Sequence, residues 1–289
     1  MIKIFHKKQK KFIFVITGIS GKNMVGLLVI FGETKAMLNN FYVYIINKFW
    51  SGFFNHAALD VLEKRKRWTI DALMRIPSGK TILDAGAGTG MFKSFCNHLK
   101  YISQDLAEYD GSGDGLGFQS GNWVNLKHDI VSDISSIPRP DNSFDVILCT
   151  EVLEHVVEPV KAIVEFSRLL RSDGILILTV PFCCIAHQTP YFYSSGYSKY
   201  YYQSVLPDNG FDIIELTSLG NYFDKFIESF SLTYQEVKRS CKTNVIERIL
   251  YLFFSSILLI LLKKWVIKGD QSVDVLTQGI CIVAKKKGL

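Results

Sequence analysis

The sequence predicts an α/β fold with a mostly parallel sheet and helices on both faces, and three observations carry that prediction. Short apolar runs alternate with longer stretches of helical period from Thr81 to Ala284, the pattern of right-handed strand–helix–strand crossovers. The run Phe144–Thr150 is nearly continuous apolar, as a strand covered on both faces should be. The run Thr81-Ile82-Leu83-Asp84 leads into Gly86, Gly88 and Gly90, where a chain can turn sharply and let a ligand approach its backbone.

The elements follow in order. Residues 1–50 are basic and then apolar, with eight Lys and one Glu, so they carry +7 and the remaining chain sums to −1. The stretch has a signal-like rhythm without a clean small-residue cleavage site. It reads as an extension that packs on the fold or serves as a membrane-surface arm. Ala57 to Arg75 has the apolar spacing of a helix (Ala58, Val61, Leu62, Trp68, Ile70, Leu73), stopped by Pro77-Ser78-Gly79. The first core strand and the glycine loop come next, and a helix is expected from Met91 or Phe92 to Leu99, presenting a positive dipole end to the loop. A second strand, Tyr101–Gln104, ends on Asp105, 19 residues after Gly86.

Asp110 to Gly117, with four glycines, reads as a flexible loop without the ending of a P-loop. Trp123–Ile130 is expected as a strand ending at Asp129. Helix Val157–Leu170, capped by Asp173-Gly174, leads to strand Ile175–Val180 and Pro181. A Tyr-rich helix begins at Tyr197, and Phe211–Leu216 and Thr277–Ala284 are the last strands. Between them lies a helical insertion, 221–273. Its fourteen uncharged residues 249–262 would span about 21 Å as a helix, short of a ~30 Å hydrocarbon core. That segment reads as a helix buried in the fold or a dimer interface, or as an interfacial helix with basic ends.

Almost half of the residues are apolar, which excludes global disorder. A nearly neutral body gives no reason to expect nucleic acid as substrate. The six cysteines have no C-x-x-C or Cys/His ligand spacing, so neither a metal nor a disulfide framework is expected, and a reducing cytoplasm fits.

The ligand of the glycine loop is narrowed by two residues. An acid at the tip of the second strand, Asp105, is placed to hold a ribose diol. Met91 stands where a dinucleotide fingerprint has its third glycine, which favours a nucleoside without phosphates. Here the chain resembles the class I S-adenosylmethionine-dependent methyltransferases, which carry D-x-G-x-G-x-G. The run Glu151-Val152-Leu153-Glu154-His155 closely resembles that of their type 11 subfamily. So do the arrangement Pro181-Phe182, His187, Pro190-Tyr191 and the Gly210-Phe211 pair. The resemblance covers about residues 56–220 and 274–286.

It implies a Rossmann-like, seven-stranded, mostly parallel sheet, with 51–220 as the core, 221–273 as an insertion and 274–289 as last strand and tail. It implies S-adenosyl-L-methionine as cofactor, held by Asp84, Gly86, Ala87, Gly88, Gly90, Asp105, Asp129, Ile130 and Thr150. Asp84 would meet the amino end, Asp105 the ribose, Asp129 the adenine amino group, with Ile130 on the ring. A small-molecule or lipid- or sugar-linked acceptor would lie against the loop after Pro181. Its chemistry would be carried by Glu151 and by His187 as preferred base, or by His155 if that histidine is not simply structural. Membrane-surface contact through 1–50 and 249–262 and a homodimer complete the expectations. The rivals are a cofactor-binding protein without catalysis and a nicotinamide-dependent oxidoreductase.

Overall fold

The computed structural model describes residues 2–7, 11–20, 23–30, 62–121, 123 and 127–288. The chain divides into two compact units, Met1–His56 with Ser231–Leu258, and Ala57–Phe230 with Leu259–Leu289. This division differs from the expected one, because the insertion is shared between the units.

In the first unit, strands β1 (Ile2–Lys7), β2 (Lys11–Ser20) and β3 (Asn23–Ile30) form an antiparallel meander. Sequence reading offered no strands here. The continuous apolar runs that suggested an export or membrane segment are rich in β-branched and aromatic residues, which suit a pleated surface equally well.

The second unit opens with helix α1, described over residues 62–74; the expected start at Ala57 lies outside the described residues. Strands β4 (Thr81–Ala85), β5 (Lys100–Asp105), β6 (Ile130–Val131), β7 (Phe144–Thr150), β8 (Leu170–Pro181), β9 (Phe211–Leu219) and β10 (Gly279–Lys286) form one sheet in the order β6-β5-β4-β7-β8-β10-β9. The five strands from β6 to β8 are parallel to their neighbours, and β10 runs antiparallel between β8 and β9. This is the seven-stranded, mostly parallel sheet the sequence implies. The chain steps outward from β4 through β5 to β6, then crosses back to β7 on the other side of β4. The crevice beyond β4 and β7 is therefore the switch point, where open α/β sheets bind ligands.

Helices α2 (Pro159–Leu169) and α3 (Lys199–Asp208) pack on one face, around Phe144, Phe166, Leu178, Tyr202 and Phe211, all buried. Helix α1 and the 92–99 segment cover the other through Leu73, Ile82, Phe92, Cys96 and Leu148. Each face thus has an apolar layer, which fixes β4 and β7 rigidly beneath the crevice.

Three elements depart from expectation. The helix expected over 92–99 is only a 3₁₀ turn, Lys93–Phe95. Phe92, Cys96 and Leu99 do face the core at helical spacing, but β5 begins at Lys100 and leaves no room for further turns. The loop therefore lacks the helix dipole invoked for it. The strand expected to end at Asp129 instead begins just after it, pairing only Ile130 and Val131 with Gln104 and Asp105. Strand β8 starts at Leu170 as soon as α2 stops, so Asp173-Gly174 lies within a strand rather than capping the helix.

The insertion forms two helices, α4 (Tyr222–Ser240) and α5 (Val245–Lys268). Within the second unit, Asn221 caps the start of α4 and donates from Nδ2 to the Val266 carbonyl at 3.0 Å, while Phe223 packs on Trp265. Helix α5 runs well past the uncharged stretch 249–262. Its segment Ile246–Lys268 is long and apolar enough, by length and composition, to cross a membrane.

Candidate functional site

The loop after β4 turns on left-handed glycines, Gly86 at φ +73° and Gly88 at φ +52°. A Cβ at Gly86 would overlap the γ-methyl groups of Val152, and one at Gly88 would lie 3.1 Å from the Trp123 ring. The loop is held by β5 rather than by a helix. Gly86 and Ala87 N–H groups donate to the Gln104 carbonyl, both at 2.9 Å, and Gly88 N–H donates to Asp105 Oδ2 at 2.8 Å. Asp105 Oδ1 accepts from Ala107 N–H at 2.8 Å. The Gln104 side chain, buried, donates to the Ser132 carbonyl at 2.7 Å, tying in the turn after β6.

These pieces open on one cavity of about 720 Å³. Asp84, Gly86, Ala87, Gly88, Asp105 and Thr150 line it, as do Glu151 and His155. Gly90 does not; its N–H closes the turn onto the Ala87 carbonyl at 2.8 Å. Neither does His187, although the neighbouring Gln188, Tyr191 and Tyr193 do.

Asp129 and Ile130 are also absent from the lining, which corrects their expected place against an adenine. Asp129 Oδ2 accepts from both Ser103 N–H and Ser103 Oγ at 2.9 Å, clamping β5, and those bonds hold its carboxyl below the usual range. Ile130 is core. The cavity is lined instead by Asp133 and Ile134. Two Asp-Ile pairs follow one another here, at 129 and 133, and only the position of the strand end separates them.

Asp84 is 2% exposed and accepts from the Tyr101 hydroxyl at 2.6 Å. Burial raises its pKa from 3.8 to about 6, with the Tyr101 bond opposing and Asp105 adding to the shift.

Glu151 leaves β7 with φ +54°, and a 3₁₀ turn, Leu153–His155, follows. The expected helical face shared by Glu151 and His155 does not form. Glu151 is gripped by Arg65 of α1 at 2.6 Å and by Thr179 Oγ1 at 3.1 Å. Arg65 went unnoticed in sequence because Glu63-Lys64-Arg65-Lys66-Arg67 looks like a solvated face; its side chain is only 15% exposed. His155 donates from Nδ1 to the Tyr191 carbonyl at 2.7 Å, because a carbonyl can only accept. Burial lowers its pKa to about 4, so it is neutral at pH 7.

Residues 83–178 match the family described as "Methyltransferase domain". That stretch is a class I methyltransferase domain. Among curated proteins, a ubiquinone biosynthesis O-methyltransferase of Paraburkholderia phymatum is 30% identical over 116 residues, covering 38% of this chain and 47% of that protein. Its counterpart in Xanthomonas axonopodis is 27% identical over 157 residues, covering 51% and 64%. The matches thus span about half the length of these relatives. A solved structure of a methyltransferase-like protein from Bacillus halodurans aligns at 17% identity and TM-score 0.45, covering 76% of this chain and 99% of that one.

The group used by the methyltransferase domain is S-adenosyl-L-methionine, which supplies an electrophilic methyl on sulfur. The cavity of the domain fits that group. It offers a buried carboxyl at Asp84 for a cationic amino end, Asp105 for hydroxyls, and the apolar edge of Ile134 beside Asp133 for a flat ring. Side chains at Gly86 and Gly88 would crowd the cradle.

Proposed function

We propose that the protein transfers a methyl group from S-adenosylmethionine to a small-molecule or lipid- or sugar-linked acceptor. Supporting this reading is the convergence of the glycine loop, Asp105, the turn after β6 and the tip of β7 on one cavity at the switch point. At about 720 Å³ it lies in the upper part of the ~300–1,000 Å³ range of small-molecule sites, with room for an acceptor beside the donor. In-line displacement needs alignment above all, and the β4 and β7 tips are rigid. Two relatives are named O-methyltransferases, which favours a hydroxyl acceptor. Glu151, His155 and Tyr191 line the cavity and His187 does not, so His155 is better placed than His187 to touch an acceptor.

Asp84 gives this reading a pH signature. Its carboxyl must be ionised to hold the donor's ammonium, and its pKa is about 6. S-adenosylmethionine affinity is therefore expected to rise up to roughly tenfold per pH unit below 6 and to level off above it. Unliganded stability runs the other way. A carboxyl whose folded pKa exceeds its unfolded one binds its proton more tightly when folded, so this contribution is lost as pH rises from about 4 to 6. Calorimetry across pH 5–8 reads the first effect, and Tyr101→Phe should move its midpoint upward. Flat affinity across that range would refute the role of Asp84.

We further infer that α5 rests on a lipid surface. Phe253, Phe254, Ile257 and Ile260 are exposed on it, and Lys263, Lys264 and Lys268 follow at its end, the composition of an interfacial helix. Vesicles containing anionic lipid should float the wild-type protein, and Phe253→Glu/Phe254→Glu/Ile257→Glu should remain at the bottom of the gradient. Equal flotation of the two would exclude α5 as the contact.

A further inference from the structure

We propose that Glu154, His155 and His187 form a binding site for a divalent transition-metal ion, Zn²⁺ foremost. The starting observation is Glu154, on the 3₁₀ turn after β7. It is 1% exposed, yet neither carboxylate oxygen has a hydrogen-bond partner among the described residues. Buried carboxylates are nearly always hydrogen-bonded, paired or metal-bound. The nearby cation, Arg65, is already engaged by Glu151 at 2.6 Å. Burial raises the carboxyl of Glu154 well above its usual range, and the charge of Glu151 adds to that shift.

What faces this carboxylate is two imidazole lone pairs. His155 spends its Nδ1 proton on the Tyr191 carbonyl at 2.7 Å, and His187 spends its own on the Ile185 carbonyl at 2.9 Å. With the Nδ1 protons so placed, the Nε2 atoms of both rings are the ones free to bind an ion. They lie 3.7 Å (His155) and 4.0 Å (His187) from Glu154 Oε1. A backbone carbonyl that fixes the tautomer and aims the other nitrogen is the outer shell typical of metal-bound histidine. A proton on Glu154 would serve only one nitrogen, and at these separations it would make no real hydrogen bond.

The three ligand atoms lie within 4.8 Å of one another. A tetrahedral Zn²⁺ with bonds of ~2.0–2.1 Å holds its ligand atoms roughly 3.4 Å apart, so the cluster need close by only a fraction of an ångström to about 1.4 Å. His187, on the loop after β8 and 27% exposed, can supply that movement. Two imidazoles and one carboxylate suit Zn²⁺ or Fe²⁺ and not Mg²⁺ or Ca²⁺. The double positive charge of the ion would also compensate the Glu151–Glu154 pair that Arg65 alone leaves in excess. His155 lines the cavity, so the ion would stand at its wall with a position left open. No ligand spacing reveals the set in sequence, because His187 comes from beyond β8.

The test is Zn²⁺ titration of chelator-stripped full-length protein against a chromogenic competitor, with Mg²⁺ in excess. One equivalent should bind to the wild type. Glu154→Gln and His187→Ala should each weaken binding by roughly a hundredfold or more, with circular dichroism confirming the fold. Cys183→Ser/Cys184→Ser should bind as wild type, and Co²⁺ in the wild-type protein should show d–d bands without a thiolate charge-transfer band. Substoichiometric binding, wild-type affinity in Glu154→Gln and His187→Ala, loss of binding in the cysteine variant, or a thiolate band would each overturn the site. None of these readouts depends on methyl transfer, so failure here leaves the proposed activity standing.

Discussion

Replacing Asp105 with alanine is expected to weaken S-adenosylmethionine binding by roughly a hundredfold or more. In the proposed complex the carboxylate accepts from both ribose hydroxyls, and hydrogen bonds to a charged group contribute about 1.5–3 kcal/mol each. Since about 1.4 kcal/mol is a factor of ten, losing the pair costs two decades at the low end. A second loss comes from the protein itself. Asp105 holds Gly88 N–H at 2.8 Å and Ala107 N–H at 2.8 Å, and with no helix behind the loop those bonds, with the two to the Gln104 carbonyl, keep the cradle in shape. Asp105→Asn retains one acceptor oxygen and should fall between. Isothermal calorimetry gives all three values, and a change in affinity under about threefold in Asp105→Ala would remove Asp105 from the site.

Arg65→Met is expected to destabilise the second unit by about 3–5 kcal/mol, the usual cost of stripping one partner from a mostly buried ion pair. The pair is 2.6 Å long with side chains 15% and 23% exposed, so solvent screens little of it. Glu151 then keeps only Thr179 Oγ1, at 3.1 Å, as a neutral donor. Burial already raises its pKa despite Arg65, which pulls the other way. Without Arg65 the pKa should rise further, so the charged carboxyl is the costly form and the destabilisation should be larger at pH 8 than at pH 5. Adding Glu151→Gln should recover most of the loss, because the charge left behind is what costs. Urea denaturation at both pH values decides it; a loss under 1 kcal/mol, or no recovery in the double variant, would show that the pair is not what holds α1 to β7.

How far the sequence reveals this molecule depends on which interactions are local. Strand β7 was legible to the residue, because its centre, Val146–Cys149, is buried on both faces and so forms an unbroken apolar run. The glycine loop and Asp105 were legible through their spacing, and the seven-stranded sheet followed from the alternation of elements and the resemblance they carried. What failed was settled by contacts distant in sequence. The expected helix at 92–99 has its apolar period but is cut short by β5. Asp129 and Asp133 head identical Asp-Ile pairs, and Ser103 decides which of them turns away from the cavity. Arg65 is hidden in a charged run and becomes a buried counter-ion only when α1 meets Glu151. Helix α5 outran its uncharged centre because flanking lysines continue a helix as readily as leucines do.

The central claim is that the crevice between the β4 and β7 tips is a site for a sulfonium nucleoside rather than a dinucleotide. Calorimetric titration of the wild-type protein with S-adenosylmethionine, S-adenosylhomocysteine and NAD tests it most directly. One equivalent of each sulfur nucleoside should bind, and NAD, whose pyrophosphate finds Met91 in place of a third glycine, should give no heat of binding. Binding of NAD in preference to S-adenosylmethionine, or no binding of either sulfur nucleoside, would contradict the account.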